Sequence, residues 1–71
     1  MKPFLIEFSE KVNDWTDVKL DEYRMMFPDY DKAQEWALLT AQTSNIYKHL
    51  QMNIRVSQIS KVIKIYYNGQ E

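Results

Sequence analysis

Along the first ten residues apolar and polar side chains alternate: Phe4, Ile6 and Phe8 fall on one side of an extended chain, Leu5 and Glu7 on the other. A period of two in aromatic and β-branched residues predicts a strand over residues 3 to 10. Asn13-Asp14 then suits a tight turn, because short amide and carboxylate side chains bond their own backbone. The return segment "WTDVKLDEYRMMF" alternates twice, with Val18 and Leu20 in one parity and Tyr23, Met25 and Phe27 in the other. A bulge or bend near Asp21-Glu22 reconciles the two halves, and the whole predicts a hairpin.

Pro28 stops the second strand, Asp29 is placed to cap a helix, and Asp31 lies in a first turn that favours negative charge. Ala33, Trp36, Ala37, Thr40 and Ala41 recur at helical spacing, and Tyr47 continues the row if the helix runs past "TSN". Small alanines on that face let a helix lie close to a sheet, with Trp36 and Leu39 as bulk at its borders and Lys32, Gln34, Glu35 and Gln42 in solvent. "VSQISKVIKIYY" fits either a helical stripe or a strand; its dense β-branching and paired tyrosines favour a strand from Ser57 to Tyr67, closed by Asn68-Gly69.

The expected fold is α+β: a ββαβ domain whose three-stranded antiparallel sheet has the order 2-1-3, with one helix on one face. The other face, carrying Leu5, Glu7 and Tyr66 among others, is left for solvent or a partner, which predicts a homodimer or a hetero-complex.

Length and composition narrow the field. Seventy-one residues make a single domain, 1 to 71, whose modest burial leaves stability marginal. With no cysteine there is no disulfide or thiolate metal site, and a reducing cytoplasm is the expected setting. The apolar run at the amino end is too short for a signal peptide or a membrane span. His49 is the one histidine, the serines at 9, 44, 57 and 60 lack a base-and-carboxylate pattern, and one glycine cannot build a phosphate-cradling loop. Asp21-Glu22 and Asp29 with Asp31 fit a bend and a helix start better than an acid–base pair. No enzyme activity, cofactor or metal is expected.

Charge adds an asymmetry. Residues 1 to 35 hold nine acidic and five basic side chains, a net of −4; residues 36 to 71 hold one acidic and four basic, a net of +3. Hairpin carboxylates are therefore expected to face a basic protein partner, with Glu10, Asp14, Asp17, Asp21 and Glu22 as candidate partner-binding residues. The alternative is a nucleic-acid-associated protein using Lys61, Lys64, Tyr66 and Tyr67, although alternation in a strand divides these four between two faces.

"FLIEFSEKVNDW", "MMFPDYDKA" and "ISKVIKIYY" together resemble very short α/β proteins of phage and mobile-element genomes. In those, a hairpin precedes a D-Y-x-x-A helix start, here Asp29-Tyr30-Asp31-Lys32-Ala33. The resemblance implies a non-enzymatic accessory, of a kind that includes proteins binding and disabling host defence or regulatory proteins; it brings no functional residues.

Overall fold

The computed structural model describes residues 1 to 59. Its elements are β1 (Lys2–Lys11), β2 (Asp17–Phe27), α1 (Tyr30–Thr43) and β3 (Met52–Gln58). The three strands form one antiparallel sheet in the order β2-β1-β3, with α1 on one face, so the domain is α+β as the pattern predicts.

The central strand carries the core. Phe4, Ile6 and Phe8 are fully buried beneath the alanine row Ala33, Ala37 and Ala41 of α1. Half-buried Tyr23, Phe27, Trp36, Met52, Ile54 and Val56 close around them. Phe8 is the hub: its ring stacks on Tyr47 at 5.1 Å, meets Tyr23 edge-on at 5.5 Å and lies 6.3 Å from Trp36. Such aromatic geometries add to the area term that drives burial.

The bulge falls one residue before the expected place. Phe8 opposes Asp21 and Ser9 opposes Lys19, so Leu20 is the extra residue of β2. That insertion reverses the parity, which puts Asp21, Tyr23 and Met25 on the helix side and Glu22 and Arg24 on the open side.

Asp29 caps α1 by accepting from the Lys32 backbone N–H at 2.9 Å. Tyr30, the next residue, donates its hydroxyl to the Val56 carbonyl of β3 at 2.6 Å and meets Phe4 edge-on. The helix stops at Thr43 and does not run through "TSN". Ser44 turns extended, and its Oγ accepts from the backbone N–H groups of Ile46 and Tyr47, starting a new turn. Tyr47 reaches the core through that turn. Leu39, expected at the helix border, is largely exposed.

The last strand among the described residues starts upstream of the expected position. β3 occupies Met52–Gln58, sharing only Ser57 and Gln58 with the segment 57 to 67 read from β-branching. Residues 60 to 67 of that expectation lie outside the described residues. Backbone bonds from Lys11 to Gln51 and from Ile59 to Pro3 extend the β1–β3 pairing at both ends.

Candidate functional site

The end of the hairpin is built to stay ordered. Val12 and Asn13 donate their backbone N–H groups to the Thr16 carbonyl, at 3.0 and 3.4 Å. Asn13 Oδ1 accepts from the Trp15 N–H at 2.8 Å, the side-chain-to-backbone bond that makes asparagine a turn former. Trp15 is thus held on a bonded turn, yet it is 95% exposed. Val12 and Val18, three residues to either side of it, are exposed as well. A single exposed apolar side chain is ordinary on a protein surface; an indole on a rigid tip, flanked by two more apolar residues, is the composition of an interface anchor.

The candidate carboxylates separate into three groups. Glu10 lies on the helix-side parity of β1 opposite Val18, Asp14 on the turn, and Asp17 opposite Lys11 at the start of β2. These three ring the hairpin end, where Asp14 makes a loose 3.9 Å ion pair with Lys11 and Asp17 accepts from Asn53 Nδ2 at 2.6 Å. Asp21 instead accepts the Tyr47 hydroxyl on the helix side, tying β2 to the turn after α1. Glu22 sits on the open side between Lys19 and Arg24, the latter at 3.1 Å, while Lys19 also reaches Glu7 at 3.4 Å. Asp21 and Glu22 are therefore engaged in holding the fold or its charge ladder away from the hairpin end, and of the three at that end Asp17 is also bonded across the sheet to Asn53.

The open face is charged rather than greasy. Glu7, Lys19, Glu22, Arg24 and Arg55 share it by register, and among the described residues paired on it Leu5 and Met26 are the larger apolar members. Hydrogen bonding to the Lys19 ammonium, then to the Arg24 guanidinium, holds Glu22 below the usual carboxylate range. The bond to Glu22, against some desolvation, raises Lys19 above the usual lysine range. Glu22 accordingly contributes stability above the ordinary glutamate pKa and loses it as pH falls through the lowered value; the Lys19 contribution is present below the ordinary lysine pKa and lost as pH rises through the raised one. Both groups are solvent-exposed, so the effect is small. In urea melts from pH 3 to 7, Glu22→Gln should flatten the acid-side loss slightly at low salt and leave no difference from the parent at 1 M salt, where screening is about 3 Å.

No family model, curated protein or solved structure matches this chain.

A concavity lies between α1 and the end of β2, lined by Phe27, Pro28, Lys32, Glu35, Trp36 and Leu39, with a volume of about 270 Å³. It is shallow and open, its polar rim is the Lys32–Glu35 pair at 3.5 Å, and it converges no acid–base or nucleophilic group. Among the described residues no three His, Cys, Asp or Glu side chains converge as metal ligands, and no helix is long and apolar enough to cross a membrane. Lys61, Lys64, Tyr66 and Tyr67, the basic and aromatic set of the alternative reading, lie outside the described residues.

Sequence reasoning passed over Trp15 as one more strand residue. The available signal was its place directly after Asn13-Asp14, where a large aromatic has no core within reach. For the Asp21–Tyr47 bond the sequence held no signal, since the two residues meet only through the bulge and the Ser44 turn. Tyr47→Phe should lower stability by about 1 kcal/mol in urea unfolding, the worth of a partly solvated hydrogen bond to a carboxylate.

Proposed function

We propose that this chain is a small non-enzymatic protein-binding module, and that the end of its β1–β2 hairpin docks on a basic protein. One observation carries the reading: Trp15 is 95% exposed on a hydrogen-bonded turn. Presenting an indole to water costs solvation and contributes nothing to the core, whereas a rigid aromatic inserted into a partner's pocket loses little entropy on binding. Glu10, Asp14 and Asp17 supply a negative rim, so the complementary surface is an apolar pocket bordered by lysine or arginine. The resemblance to accessory proteins of phage and mobile-element genomes supports a host regulatory or defence protein as that partner.

The test is capture from host extract on immobilised chain, followed by affinity measurement with the purified partner. Changing Glu10, Asp14 and Asp17 to Lys together should slow association most at low ionic strength, while stability falls by about 1 kcal/mol at most, the worth of the exposed Asp17–Asn53 bond that is lost. Asp21 and Glu22 are left intact because they lie further along β2, away from the hairpin end. Equal binding by parent and triple variant sinks the hairpin-end reading. Salt-sensitive binding of single-stranded oligonucleotide, with no protein captured, would replace it by the nucleic-acid alternative.

A further inference from the structure

β2 is an edge strand: among the described residues it has β1 on one side and no strand on the other. The outer edge of an eleven-residue strand, whose backbone groups find no strand partner among the described residues, is a template for another strand, and proteins that avoid pairing guard such edges with charge. The charges on this edge have a different property. On the open face, beyond the bulge at Leu20, β2 reads Glu22, Arg24, Met26, and the Glu22–Arg24 pair is complementary to itself when reversed.

From this pattern we infer that two copies of the chain pair antiparallel through β2, with Tyr23 on the two-fold axis, to make a continuous six-stranded sheet. In that register Glu22 lies opposite Arg24 of the second copy, twice. Residues directly opposite across an antiparallel pair have Cβ atoms about 5 Å apart, so the ions meet. Sliding by one pleat places Glu22 on Glu22 or Arg24 on Arg24 at the axis, so the Tyr23-centred register is the complementary one.

The helix side accepts the same arrangement. α1 packs chiefly against β3, on the far side of the sheet from the joining edge. Helices centred between β1 and β3 in each copy would stand four strand spacings apart, roughly 19 Å, beyond the ~10 Å of direct helix contact. Tyr23 and the groove of Phe27, Pro28, Trp36 and Leu39 flank the edge on that side and border the space between the helices. The association depends on the β2 edge alone and leaves both hairpin ends free, so it stands or falls apart from the docking role of Trp15.

Sedimentation velocity at tens of micromolar tests it with five samples. The parent chain should be a dimer. Glu22→Arg and Arg24→Glu, each alone, set like charges opposite one another twice and should weaken self-association by about tenfold or more. An equimolar mixture of the two should form a heterodimer, and the chain carrying both changes should recover the homodimer, since each restores Arg opposite Glu. Heterodimer formation in the mixture also shows that the single variants are folded. A monomeric parent, or single variants that dimerise as tightly as the parent, would overturn the inference.

Discussion

Phe8→Ala should leave the domain largely unfolded at room temperature. Phe8 has no solvent exposure and its ring touches three others, from β2, α1 and the turn after α1, so truncation removes contacts from every layer. Deleting a buried phenylalanine side chain costs about 3–5 kcal/mol, partly as lost transfer energy and partly as a cavity the backbone cannot close. A core in a chain this short rarely supplies more than about 3–5 kcal/mol of net stability, so one substitution consumes it. Far-UV circular dichroism with urea titration reads the outcome. A cooperative transition within about 1 kcal/mol of the parent's would mean that the aromatic cluster is not what holds the sheet to the helix.

Trp15→Ala should have the opposite profile, with binding lost and stability kept. The side chain is out of the core, and the turn beneath it is held by backbone groups and by Asn13, which the substitution leaves in place. Loss of an aromatic anchor costs about 2–4 kcal/mol at an interface, a thirtyfold to thousandfold weaker complex, read as a faster off-rate. Trp15→Phe should retain part of the affinity, since a smaller ring fills part of the same pocket. If the alanine variant binds as the parent does, the hairpin end is not the docking surface.

Strong periodicity made most of the fold legible. Phe4, Ile6 and Phe8 alternate without exception, and Ala33, Ala37 and Ala41 repeat at four, so β1 and α1 announce the face each buries. β3 was displaced because its signal is quieter: Met52, Ile54 and Val56 alternate with Asn53 and Arg55, a half-buried strand with a polar outer face. The run from Ile59 to Tyr67 is denser in β-branched and aromatic residues and drew the assignment, yet pairing with β1 is decided by which residues can sit opposite Phe4, Ile6 and Phe8. The carboxylates divide for a related reason. Asp21 and Glu22 are neighbours in sequence and point to opposite sides of the sheet, and the bulge at Leu20 decides which goes where. Composition counts both as acidic hairpin residues; only the register separates a carboxylate that accepts Tyr47 from one that bridges Lys19 and Arg24.

The placement of β1 between the other two strands also sets the order of assembly. Its pairing with β2 closes through a short turn and can form early, while its pairing with β3 joins Phe4 to Gln58 and must bring the two ends of the described chain together. Long loop closure is the slow part of small-protein folding. β1 emerges before β3 during synthesis and therefore keeps one edge and three aromatic or branched side chains, Phe4, Ile6 and Phe8, incompletely covered until residues 52 to 58 have been made. Variants that weaken β3, such as Ile54→Ala, should lengthen that exposed interval, which makes aggregation during expression a more sensitive readout of β3 than the equilibrium melt.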